Sequence, residues 1–196
     1  RLREFARRVN EGETDFARLA KMYSQDGSSR NGGEMGFMGR NMLVPEFANV
    51  AFALTDPKKV SKIVRTEFGF HIMQLIEKQG DKVNVRHILL KPEIKEGEYE
   101  RLTSRLDSIA ADIKAGKFSF EEAAQQLSDD KDTRNNKGLM VAQDETTGAL
   151  TARFQMKNLP QDVAKVVDTM KVGEVSQAFR MMDSKTGQEI CAIVKL

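Results

Sequence analysis

The sequence predicts an α+β protein built from two copies of one small unit. Phe16-x-x-x-Ala20-x-x-x-Ser24-x-Asp26 returns at a constant offset as Phe120-x-x-x-Ala124-x-x-x-Ser128-x-Asp130, and the same offset carries Gly12 onto Gly116. Self-similarity at a fixed period decides architecture before any local pattern does. In both copies helical spacing of apolar residues gives way to short runs that alternate or are rich in β-branched residues, and the second copy reads in the order β-α-α-β-α-β-β. That order suits an antiparallel sheet with helices packed on it. We therefore expect two domains, residues 1–80 and 83–196, with Gln79-Gly-Asp81 as the whole linker.

Leu2, Phe5, Ala6 and Val9 recur at 3–4 spacing and predict a helix over Arg1–Glu11, stopped at Gly12. They map onto Leu106, Ile109, Ala110 and Ile113 of the second copy, so the first copy is expected to begin part-way along that helix, with its opening strand upstream of Arg1. Thr14 or Asp15 caps a second helix ending near Tyr23. Residues 24–41 form a glycine-rich loop with a short strand around Met35–Met38, and Pro45 opens a helix to about Ala53. Val60–Thr66 and Phe70–Ile76 predict a hairpin turning at Glu67-Phe-Gly69. Val83-Asn-Val-Arg-His-Ile-Leu-Leu90 reads as the opening, central strand of the second unit. A long helix ending at Gly116, a helix capped by Ser119, a polar loop over 128–137 and a longer carboxy-terminal hairpin follow.

Composition excludes several classes of function. Acidic and basic side chains nearly balance at a formal net charge of +2 with no basic stripe, which argues against nucleic acid as a partner. No apolar run approaches the roughly 20 residues of a membrane span. Cys191 lies in the apolar run Ile190–Val194 and reads as a small buried hydrophobe, while two distant histidines offer no metal-ligand spacing. The glycines of 32–39 lack the Gly-Lys-Ser/Thr that a phosphate cradle needs.

Tyr23-Ser-x-Asp26, Gly32-Gly-Glu-Met-Gly36, Leu43-Val-Pro-Glu-Phe47, Ala51-Phe52, Val60-Ser61 and Thr66-Glu-Phe-Gly-Phe-His-Ile72 together resemble the parvulin family of peptidyl-prolyl cis/trans isomerases. Val85-Arg-His-Ile-Leu89, Ser128-x-Asp130, Gly138 and Gly173-Glu-Val-Ser176 extend the resemblance through the second copy, and the tandem arrangement is similar to SurA-type chaperone isomerases. The resemblance implies a four-stranded antiparallel sheet surrounded by helices in each domain. It also implies action without cofactor or metal on unfolded or partly folded proline-containing polypeptides, in the bacterial periplasm or cell envelope. Residue by residue, it places Asp26 and His71 at catalytic positions, Met35, Leu43 and Phe47 in a proline pocket with Phe47 as floor, and Thr66 and Phe68 at the rim. His71 matches the second of two paired histidines, the first belonging to the opening strand.

In unit two His87 falls on the first-histidine position, Asp130 on the acidic one and Met140 on the pocket, but no histidine follows His87, and valine replaces the aromatic floor. We therefore expect a degenerate second site of His87, Asp130 and Met140, with His87 holding the sheet together rather than moving protons. Unit one is expected to be the isomerase and, without its opening strand, to be inactive or to depend on a strand supplied by another chain. The alternative is a holdase that grips peptide with both units. His71 read alone would be a core histidine and Asp26 an Asx-turn residue; only the surrounding motif argues otherwise.

Overall fold

The computed structural model describes residues 1–144 and 147–196. The chain divides into two compact units, Arg1–Glu93 and Ile94–Leu196.

Unit one opens with α1 (Leu2–Asn10), which turns its Leu2, Phe5 and Val9 stripe inward. Gly12 follows at φ +74°, a backbone that glycine adopts without strain. Asp15 accepts a hydrogen bond from the Arg18 N–H and so caps α2 (Phe16–Tyr23). A 3₁₀ turn over Gly27–Asn31 leads into β1 (Glu34–Gly39), and Pro45 occupies the first turn of α3 (Pro45–Ala53). β2 (Val64–Thr66), β3 (Gly69–Gln79) and β4 (Lys82–Leu90) complete an antiparallel four-stranded sheet in the order β1-β4-β3-β2.

β4 is the strand we expected to open the second unit. It lies instead at the centre of the unit-one sheet, between β1 and β3, in the place where an upstream strand was expected. The expected boundary between residues 80 and 83 thus falls inside the β3–β4 hairpin, and the compact units separate at Glu93 and Ile94. Alternation along β4 explains why this strand holds the unit together. Ile88 enters one apolar cluster with Leu2, Phe5, Phe16, Leu19 and Ile72 under α1 and α2. Val83 and Val85 enter a second with Phe47, Ala51, Met73 and Leu75 under α3. Burying a side chain of this kind contributes about 1.5–3 kcal/mol. Four of them on β4, Val83, Val85, Ile88 and Leu89, are together comparable with the whole stability of a small domain.

Unit two contains α4 (Glu96–Lys114), α5 (Phe120–Leu127), α6 (Lys131–Asn135), β5 (Ala142–Gln143), β6 (Leu150–Thr151), α7 (Gln161–Val167), β7 (Phe179–Met182) and β8 (Glu189–Ala192). Ser119 and Glu122 form a reciprocal capping box at the start of α5. The loop expected over 128–137 holds α6, because both Asp130 carboxylate oxygens accept backbone N–H groups there. Its described strands pair as two separate hairpins, β5–β6 and β7–β8. The four-stranded sheet of the molecule is in unit one, since the central strand that would join hairpin to hairpin in unit two is seated there.

Candidate functional site

The site forms where β3 and β4 face α3. His87 stands opposite Met73, and His71 opposite Leu89, so the two histidines are diagonal neighbours on one face of the sheet. Their rings are 14° from parallel, with Nδ1 3.3 Å from Nδ1. Both are buried, at 4% exposure each.

With both rings neutral, the partners at either end of this pair fix where the protons sit. His87 Nε2 lies 2.9 Å from Asp26 Oδ1, which as a carboxylate only accepts, so this nitrogen carries hydrogen. In the neutral ring Nδ1 of His87 is then bare and accepts from His71 Nδ1–H. His71 Nε2 is bare in turn and accepts from the Thr66 hydroxyl at 2.7 Å. Thr66 Oγ1 itself accepts the Phe68 N–H at 3.1 Å. One tautomer of each ring satisfies the whole chain from Phe68 to Asp26, and the polarity runs in one direction throughout.

Charge follows the same logic. The hydrogen bond from His87, with those from the Ser28 hydroxyl and N–H, holds the Asp26 carboxyl well below the usual carboxylate range against the opposing effect of burial. Burial, reinforced by neighbouring His87 and only partly opposed by Asp26, lowers His71 from 6.5 to about 4. His71 is therefore a neutral imidazole at neutral pH.

Phe47 forms the floor beneath the histidines. Its ring, 3% exposed, meets His71 and His87 edge-on at centroid distances of 5.3 and 5.5 Å. Met35 and Leu43 are partly buried against the same cluster. The structure thus brings together Asp26, His71, Met35, Leu43, Phe47 and Thr66, with Phe68 bonded to the chain through its backbone.

The expected grouping of His87, Asp130 and Met140 does not form. His87 bonds to Asp26 because β4 is seated in unit one, whereas Asp130 caps α6 in unit two and Met140 lies on its loop. The histidine that pairs with His71 in this structure is His87. Sequence reasoning also missed Ser28, whose hydroxyl bonds to Asp26 and lies 3.1 Å from His87 Nε2. Its position two residues after Asp26, where an Asx-turn delivers its N–H to the carboxylate at 2.8 Å, was the available signal.

With this geometry in hand, comparison with known proteins is unambiguous about kind. Residues 1–77 and 87–195 match the rotamase family model, described as the PPIC-type PPIASE domain, and the chain belongs to that family. Among curated relatives, Chaperone SurA of Escherichia coli O6:H1 is 36% identical over 132 residues, 63% of this chain and 30% of that protein. Chaperone SurA of Albidiferax ferrireducens is 44% identical over 79 residues, 40% of this chain and 17% of that protein. The chain thus matches less than a third of the length of these relatives. The second family match begins at residue 87, inside β4, although β4 packs in unit one. Sequence kinship and packing assign this one strand to different copies.

Proposed function

We propose that unit one is a peptidyl-prolyl cis/trans isomerase acting on X–Pro bonds of unfolded or partly folded polypeptides. The observation that carries this reading is the continuous hydrogen-bonded chain Phe68–Thr66–His71–His87–Asp26 laid over the edge of the buried Phe47 ring. Amide resonance sets a barrier of about 18–20 kcal/mol, and no bond is made or cleaved in crossing it. Twisting the amide returns charge from the carbonyl oxygen to nitrogen. Water favours the planar, more polar ground state, so apolar packing of the ring against Met35, Leu43 and the Phe47 cluster would favour the twisted one by excluding water. The histidine chain keeps the polar rim in one fixed tautomer, ready for that redistribution without reorganising.

A proline-limited refolding assay tests this. Catalytic amounts of the chain should accelerate the slow phase, and Phe47→Leu should lower that acceleration by ~10-fold, about 1.4 kcal/mol of barrier. Equal rates with wild type and variant overturn catalysis by unit one.

A second reading, a peptide-gripping chaperone, draws support from the exposed Met22, Phe37, Met42 and Phe70 of the same unit. It predicts suppression of client aggregation that survives Phe47→Leu. The tandem resemblance to envelope chaperones supports the periplasm as the compartment, which fractionation of the native host would test. No described helix is long and apolar enough to cross a membrane.

A further inference from the structure

Unit two retains the fittings for a strand it does not hold. In unit one, buried Ser61 exchanges two hydrogen bonds with Met73: its N–H donates to the Met73 carbonyl at 2.8 Å, and its hydroxyl accepts the Met73 N–H at 2.9 Å. In unit two, buried Ser176 makes the same pair with Val194, at 2.8 and 3.0 Å. The bridge Val60–Gln74 recurs as Val175–Lys195, and the pair Val64–His71 as Phe179–Ala192. β7 is therefore the counterpart of β2, and β8 the counterpart of β3. In unit one the far side of β3 takes β4; among the described residues the far side of β8 takes no strand.

The other wall of the seat matches as well. Gly33 at φ +82° lets β4 pass so closely that a Cβ there would lie 2.3 Å from the His87 carbonyl oxygen. Its counterpart Gly138, at φ +81°, keeps the same conformation and the same approach to the helix, at Ala124, yet among the described residues no strand passes it. Ser24 Oγ accepts the Leu89 N–H of β4, while its repeat partner Ser128 accepts the nearby Asp130 N–H. β1 pairs with β4, and its counterpart Leu139–Val141 is not a strand and leaves both end residues exposed. Both clusters of buried apolar side chains among the described residues lie in unit one, and β4 contributes to each.

We infer that Lys82–Leu90 has two alternative seats, the unit-one seat observed and a vacant one in unit two between β8 and Leu139–Val141. The paired-histidine site exists only while the strand occupies the first. When another strand fills unit one, Lys82–Leu90 transfers to unit two and closes that sheet. The strand runs directly into unit two through residues 91–95, so transfer breaks no covalent bond; it exchanges the β4 hydrogen bonds to β1 and β3 for new ones in unit two.

Disulfide trapping reads the strand's position without reference to catalysis. In a Cys191→Ala background, Gln74→Cys with Arg86→Cys reports the first seat, since these residues are cross-strand partners. Arg86→Cys with Lys195→Cys reports the second, since Lys195 is the counterpart of Gln74. The full chain is oxidised mildly with and without an excess of a synthetic peptide of residues 82–90, and intrachain bonds are identified by mass spectrometry. The first pair should close in the chain alone, and the peptide should raise intrachain closure of the second at least several-fold. Failure of the second pair to close under conditions that close the first overturns the inference, as does closure only between chains. Hydrogen exchange gives a parallel reading on the unmutated chain: peptide should protect amides of Glu189–Val194. Protection there without the Arg86→Cys to Lys195→Cys bond would mean the peptide itself sits in unit two, and also overturns it.

Discussion

His71 and His87 face each other nitrogen to nitrogen, Nδ1 to Nδ1 at 3.3 Å, although sixteen positions and a strand turn separate them in the chain. Their pairing, and the acceptors at each end, make the site's behaviour with pH and mutation calculable in direction.

Stability should fall as pH drops from about 6.5 towards 4. His71 binds a proton at about 4 when folded and at about 6.5 when unfolded, so between those values the unfolded chain holds more protons and is favoured. The integrated loss is about 3 kcal/mol. Urea titrations across pH 4–7 check it, and His71→Asn should flatten the slope in that window. A wild-type chain as stable at pH 4.5 as at pH 7 would contradict the burial argument. Asp26, held low, adds its own loss only further down, as pH falls below about 4.

Phe47 serves both the core and the site, and the two roles separate by size of substitution. Phe47→Ala should cost about 3–5 kcal/mol by leaving a cavity. Phe47→Leu keeps most of the volume and should cost about 1–2 kcal/mol. If the ring matters to catalysis, isomerase activity should fall by about the same factor in both once each is measured under conditions where it is folded.

Asp26→Asn retains an oxygen acceptor for His87 Nε2–H, whereas Asp26→Ala leaves only the Ser28 hydroxyl. Nitrogen chemical shifts of the imidazoles should therefore keep the His87 tautomer in the Asn variant and show a mixture in the Ala variant. Loss of a hydrogen bond to a charged group costs about 1.5–3 kcal/mol, with the lower end expected at this partly exposed carboxylate. Identical spectra for the two variants would refute the single-tautomer chain.

Gly33→Ala and Gly80→Ala compare two left-handed glycines. At Gly80 a Cβ meets nothing within 4 Å, so the cost is the backbone term alone, about 1–2 kcal/mol. At Gly33 the Cβ also drives into the His87 backbone, and the His87 N–H to Gly33 carbonyl bond of 2.8 Å must open. Amide exchange along Lys82–Leu90 should accelerate in the Gly33 variant well beyond the Gly80 one.

Most of unit one was legible in its residues. Gly12, Asp15 and Pro45 punctuate their helices where the structure ends or begins them, and the motif around Thr66–Ile72 placed His71 beside Phe47. The repeat and the packing part company at β4, which the family match gives to the second copy and the sheet to the first. Val83–Leu90 announces a central strand through its apolar run, but nothing in a strand's own pattern names the sheet it joins, because hydrogen bonding along a strand is sequence-blind. Here the repeat pointed one way and packing the other. His87 was consequently read as structural in a unit where it has no partner. In unit two the polar loop before Gly138 concealed α6, since Asp130 capping is a short-range event that the loop-like composition of 128–137 masks.

The last element of unit one to leave the ribosome is also its keystone. Everything from α1 to β3 is synthesised before Lys82, and until Leu90 has cleared the exit tunnel neither apolar cluster has the wall that Val83, Val85 and Ile88 give it. Nascent chains grow at about 5–20 residues per second, so for seconds the β3 edge that β4 covers here stands in view of chaperones and neighbouring chains.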